Sequence, residues 1–160
     1  MRAIVFLAVL LVLGGLSACG EATNSNTTSK PDLQHLQQAV GVDIALSDVV
    51  DTYVLGSKHT DIQRERLTEK LVGSTVDWTL TVFEISKDGD RYTVTSDLIS
   101  SAKSSGGGAL AVIAYVYPRN TADIEAIEHL MTGNQIKLKG VVHSINLRTA
   151  IVLHPSVVSN

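Results

Sequence analysis

Aromatic residues are few in this chain: one Trp, four Tyr and two Phe in 160 residues. Proteins that hold single-stranded nucleic acid stack its bases on rings along a positively charged groove. The charge is missing too. The bases are scattered, at Lys58, Arg64, Arg66 and Lys70 and then at Lys137 and Lys139, and the formal net charge is −3. Affinity for a polyanion comes from releasing its counterions to clustered Lys and Arg, so general nucleic-acid binding is disfavoured. There is one cysteine, Cys19. The five histidines, His35, His59, His129, His143 and His154, include no pair at His-x-x-x-His spacing. Neither observation points to a zinc site, so no metal and no cofactor are expected. No Gly-x-Ser-x-Gly elbow suggests a serine hydrolase. Gly106 to Gly108 precede a strand pattern, so the helix N-terminus that a phosphate loop needs is missing. Asp88 and Asp90 flank Gly89 without the further acids of a calcium loop. No residue is assigned a catalytic role, and a non-enzymatic protein is expected.

The chain also has no apolar run long enough to cross a bilayer. The longest, Ala3 to Leu13, is about eleven residues, whereas a spanning helix needs roughly twenty. Arg2 before it and Gly14-Gly15 after it give the layout of an export segment. That segment ends Leu16-Ser17-Ala18-Cys19, which resembles the lipobox of bacterial lipoproteins. The resemblance implies that the Cys19 thiol takes a diacylglyceryl group, that the chain is cut before Cys19, and that the new amino group is acylated, with palmitate as the expected label. Each buried methylene then adds about 0.8 kcal/mol to membrane attachment, so two or three chains hold essentially permanently. A thioether also removes a lone thiol that would invite intermolecular disulfides in an oxidising compartment. The plainer alternative is an ordinary signal peptide with an incidental cysteine. Gly20, not Asp, follows Cys19, which implies the outer membrane, facing the periplasm, in a cell that has two membranes. Loss of residues 1–18 leaves 12 bases against 16 acids.

Residues 19–31 carry no large apolar side chain and read as a lipidated cysteine with a flexible tether. Residues 32–72 read as a helical lead. Pro31-Asp32 starts one helix with Leu33, Leu36 and Val40 inward. Ser47 or Asp48 caps a second with Val49, Val50, Tyr53 and Val54, and Gly56 stops it. Thr60 and Gln63 form a capping box for a third, with Ile62, Leu67 and Leu71 on one stripe and its charges mostly solvated.

From Gly73 the period changes to two. Val76, Trp78, Leu80 and Val82 alternate with Thr75, Asp77, Thr79 and Thr81, which places Trp78 in the core. Lys87 to Asp90 is a turn around Gly89. Arg91 to Ser96 is a second strand. Ser100 to Gly108 reads as a flexible loop, and Ala109 to Pro118 as a third strand. Asn120 to Gly133 is a helix capped by Asn120 or Thr121, with Ile124, Ile127, Leu130 and Met131 inward. Strands four and five follow, beginning at Asn134 and Arg148. Gly140 inside the fourth suits a bend or bulge at a barrel corner.

The expected fold class is mainly β with flanking helices (α+β). Its architecture is a five-stranded OB-type barrel over residues 73–160, with a helix between strands three and four, preceded by short amino-terminal helices. Leu71, Gly73, Val76, Trp78 and Thr79 at the first strand resemble the tRNA-anticodon-like OB-fold family. So do Leu130, Gly133, Ile136, Leu138 and Gly140 at the fourth, although Asn134 stands where that family usually has an acid. The resemblance implies a barrel in a small exported lipoprotein and gives no licence for tRNA binding. OB barrels present ligands on the outer face of strands two and three, where Phe83, Arg91, Tyr115 and Tyr117 are the candidate contacts. The alternative for the tyrosines is packing under the helices. These readings combine into a membrane-tethered, non-catalytic interaction module for a protein or an envelope glycan in the bacterial cell envelope. The alternatives are a structural envelope or assembly factor without a small ligand, and single-strand nucleic-acid or oligosaccharide binding on the barrel face.

Overall fold

The computed structural model describes residues 33–101, 103–104, 106–146 and 149–159. The export segment 1–18, Cys19, the tether 19–31 and the expected helix start at Pro31-Asp32 lie outside the described residues.

Three helices lead the chain: α1 (Leu33–Gln38), α2 (Leu46–Tyr53) and α3 (Asp61–Leu71). α1 is one and a half turns long, so its stripe holds a single buried residue, Leu36. Val40, expected on that stripe, falls past its end and is 95% exposed. α2 buries Val49, Val50 and Tyr53. The expected caps Ser47 and Asp48 lie inside it, because its N-cap is Ala45, which makes no side-chain cap bond. Tertiary burial of its apolar face can hold a short helix that lacks a cap. α3 has the full capping box: Gln63 N–H donates to Thr60 Oγ1, and Gln63 Oε1 accepts from Thr60 N–H. It docks through Leu67 and Leu71 at its far end, which leaves Ile62, expected inward, 63% exposed. The Tyr53 hydroxyl, bonded to Thr68 Oγ1 at 2.6 Å and to the Arg64 carbonyl at 2.9 Å, ties α2 to α3.

The strands are β1 (Thr75–Asp88), β2 (Arg91–Ser96), β3 (Ile99–Ser100), β4 (Ala109–Val116), β5 (Gln135–Asn146) and β6 (Ala150–Val158), with α4 (Thr121–Glu128) between β4 and β5. The sheet runs β2-β1-β5-β6-β4-β3, and an added β2–β4 pairing closes it. The result is a closed five-stranded mixed barrel of OB type, with β3 as an extra strand on β4 and helices at its flanks. β4 and β6 are parallel, and the other pairs are antiparallel. Closure pairs the free edges that a small open sheet would expose. Period-two alternation fills the interior with Val76, Trp78, Leu80 and Val82 from β1, Tyr92 and Val94 from β2, and Leu110, Val112, Ala114 and Val116 from β4. The Trp78 indole is 4% exposed, and its N–H donates to the Ile44 carbonyl at 2.9 Å. That bond pins the segment between α1 and α2 to the barrel.

α4 opens with Asn120 accepting from the Asp123 N–H. It ends at Glu128, short of the expected Gly133, so Met131 lies outside the helical register and is 71% exposed. Gly133 closes the connection at φ 89°. Arg119 grips Asp123 with two guanidinium bonds of 2.7 and 2.9 Å, and this holds the Asp123 carboxyl below the usual carboxylate range.

The segment between β3 and β4, expected to be a free loop, lies on the end of α2. Ser104 Oγ donates to the Leu55 carbonyl at 2.9 Å, and Asp51 accepts from Ser101 Oγ at 2.5 Å and pairs with Lys103 Nζ at 2.7 Å. A Cβ on Gly108 would sit 2.6 Å from the Leu55 backbone. That glycine serves a close approach of two chain segments.

Candidate site on the outer face of the barrel

Three strands lose register at one level of the barrel. Between β5 and β6, Gly140 pairs with Ser156 and Val142 with Leu153, so His154 and Pro155 face a single residue, Val141. The next pair is Ser144 with Val152, which leaves His143 as the extra residue on β5. Between β4 and β6, Ala114 pairs with Leu153 and Val116 with Ser156, so Tyr115 faces the same His154-Pro155 step. Gly140 makes this possible, because a Cβ there would lie 2.7 Å from Ser156 Cβ and 3.3 Å from the Pro155 carbonyl. Bulges of this kind re-aim side chains and occur often beside functional sites.

The re-aimed side chains meet. The His154 ring lies edge-on to Tyr115 (centroids 5.5 Å apart), Tyr117 (5.9 Å) and His143 (5.9 Å). The Tyr117 hydroxyl is 3.1 Å from His154 Nε2. From the start of β2, the Arg91 guanidinium stacks over Tyr115, 4.6 Å from the ring centroid, and donates to Asp88 at 2.8 Å. A strip of one cation, two phenols and two imidazoles therefore crosses β2, β4, β6 and β5.

Asp88 first, and then the Tyr117 hydroxyl, raise the Arg91 pKa, so the guanidinium stays charged at every working pH. His154 is pushed below its usual 6.5 by burial, with the nearby charges of His143 and Arg91 adding to the effect. It is therefore neutral at pH 7, with one N–H to donate and one lone pair to offer. Tyr117 is 5% exposed and braces His154 from below the surface, whereas His143 is exposed.

Of the four candidates read from the sequence, the fold brings Arg91, Tyr115 and Tyr117 together and leaves Phe83 apart. On the β1–β2 ladder Asp88 pairs with Arg91 at one end, while Val82 and Glu84 pair with Ser96 and Thr95 at the other. Phe83 is the unpaired residue between those two, 55% exposed, and it lines a shallow groove with Leu130 and Met131. Sequence pattern does not single out His143 and His154, which stand eleven residues apart with no ligand-like spacing. The available clues were Gly140 inside one strand and Pro155 directly after His154 in the next, both marks of a disturbed ladder. Among the described residues no group of three or more His, Cys, Asp or Glu side chains could hold a metal ion. No described helix is long and apolar enough to cross a membrane.

No protein-family model matches the chain, and no curated protein does. Solved structures with a similar course include a lipoprotein of Klebsiella pneumoniae subsp. pneumoniae provisionally described as nucleic acid-binding. It is 15% identical, with a TM-score of 0.45, over 82% of this chain and 100% of that one. The OBody AM3L09 bound to hen egg-white lysozyme is 19% identical, with a TM-score of 0.34, over 60% of this chain and 91% of that one. A chain of a replication protein A heterotrimer bound to ssDNA is 12% identical, with a TM-score of 0.29, over 54% of this chain and 57% of that one.

Proposed function

We propose that this protein is a non-catalytic binding module of the bacterial cell envelope, anchored by lipid on Cys19, that holds an envelope glycan or a protein on the outer face of its barrel. The observation that carries the reading is the convergence of Arg91, Tyr115, His154 and His143 where three strands slip register together. Bulges and glycines help a sheet bend into a closed barrel, and here the slip also gathers polar and aromatic groups on an outer face, as a contact surface requires. The anchor rests on the Leu16-Ser17-Ala18-Cys19 box behind an eleven-residue apolar run. Residues 19–31 supply the stand-off between bilayer and barrel.

The test is crosslinking in intact cells with a photoreactive amino acid in place of Tyr115, and a control with the same group in place of the exposed Glu125 on α4. Discrete adducts are expected from position 115 and not from 125. Indistinguishable patterns would remove the barrel face from the reading. In the same cells Cys19→Ser should take up no labelled palmitate, and uptake equal to the parent would remove the anchor.

A further inference from the structure

We infer that the strip formed by Arg91, Tyr115, His154 and His143 takes the acidic group of an anionic saccharide and holds it more tightly as the pH falls. The inference rests on the binding-module reading above and names the chemistry of its ligand.

Arg91 has only donors to offer, and Asp88 accepts from one of its terminal nitrogens. The Tyr117 hydroxyl lies 3.1 Å from Nε2 of His154, and either group can donate in that pair. A neutral imidazole has one N–H and one lone pair, and the protonated ring has two N–H groups to offer an anion. His143, exposed beside it, adds a second imidazole.

The groups facing His154 are Arg91 from β2, Tyr115 and Tyr117 from β4, and His143 from β5. The carboxylate next in line is Asp88, already bonded to Arg91. None of the ion pairs among the described residues involves His143 or His154. A proton on His154 therefore meets a neighbouring cation and no compensating acid. A bound anion supplies that missing charge. By linkage, an anion that favours the protonated rings is itself bound more tightly when they are protonated. The depressed pKa of His154 fits this picture: burial first, and then the neighbouring charges of His143 and Arg91, oppose a proton on that ring.

An acidic sugar suits the strip better than a nucleic acid does. At neutral pH the strip has one permanent cation, partly neutralised, within an acidic chain, and counterion release from a polynucleotide needs several. A uronate brings one carboxylate per ring, which stays ionised well below pH 5, and hydroxyls that can pair with imidazole and phenol.

The test uses the full chain in a neutral detergent. Calorimetry compares a galacturonate hexamer, its methyl ester and a short oligothymidylate at about pH 7.5 and about pH 5.5, either side of the ordinary histidine pKa. The hexamer is expected to bind about tenfold or more tightly at the lower pH, the size of an ordinary coupling between two sites. The ester should show weak binding at both. The ring-proton titration of His154 should move to higher pH when the hexamer is added to the unaltered protein, a readout that depends on no variant. The double variant His143→Gln, His154→Gln should flatten the pH dependence. Equal affinity at both pH values, an ester that binds as well as the acid, or an oligothymidylate that binds more tightly than the hexamer would each overturn the inference. If the hexamer fails while crosslinks from position 115 persist in cells, the binding-module reading stands and the acidic-saccharide inference falls. If both fail, both fall.

Discussion

β5 has two neighbours in the barrel and meets them differently. Against β1 it runs seven consecutive pairs, from Thr75 with Val141 to Thr81 with Gln135, without a break. The outer side of that seam is what alternation predicts: Asp77, Thr79 and Thr81 beside Lys137 and Lys139, with a 3.4 Å ion pair between Asp77 and Lys137. Against β6 the register slips twice within five residues. The outer side of that seam has drawn together residues that no regular ladder would put in contact. A strict period of two keeps each side chain with its cross-strand partner. A slip releases it, and here the released side chains converge.

The largest effect expected on this contrast is in the regular seam. Trp78 pairs with Leu138, is nearly fully buried and donates to Ile44. Trp78→Ala should cost about 3–5 kcal/mol in a denaturant titration, the usual range for emptying a large aromatic site. A loss below about 1 kcal/mol would mean that the seam tolerates a void, against the close packing of protein interiors. The slipped seam should respond less strongly but more widely. Gly140→Ala places a methyl 2.7 Å from Ser156 Cβ, and overpacking of that kind costs about 1–3 kcal/mol. It should also shift the ring-proton resonances of His143 and His154, because the strand that carries His154 must move to make room. A variant that loses stability while both rings keep their positions would separate the packing of Gly140 from the geometry of the strip.

The same contrast explains what could be read beforehand. Alternation over 75–82 gave the buried set of β1, and the Thr60-Gln63 spacing gave the cap of α3, because both are encoded within a few residues. Val40, Ile62 and Met131 were expected inward and are exposed, since helical spacing says which residues share a face and not how far the helix runs or which end docks. β3 is two residues long, too short for any period to register. The Gly106–Gly108 stretch looked loose because its reason, the approach of Leu55 and Gly56, lies about fifty residues away in sequence. The strip was half legible. Arg91 and Tyr115 come from strands two and three of the barrel, where a ligand face is expected. His143 and His154 join them only through the slip, and local pattern carries no record of how two distant strands align.

The smallest effect expected is also the one that isolates His154. Its folded pKa lies below the unfolded value of about 6.5, so between those two values the unfolded chain binds more protons than the folded one. Stability contributed by the neutral ring is therefore fully present above about pH 6.5, falls as the pH drops through that window, and levels off below the folded pKa. Denaturant midpoints measured across this range, in a buffer free of phosphate and carboxylate that could occupy the strip, should decline less for His154→Gln than for the parent. The difference belongs to the slipped seam alone, since the β1–β5 seam carries no histidine with a shifted pKa. Equal slopes for the two proteins would mean that the ring is as free to charge in the fold as in the unfolded chain.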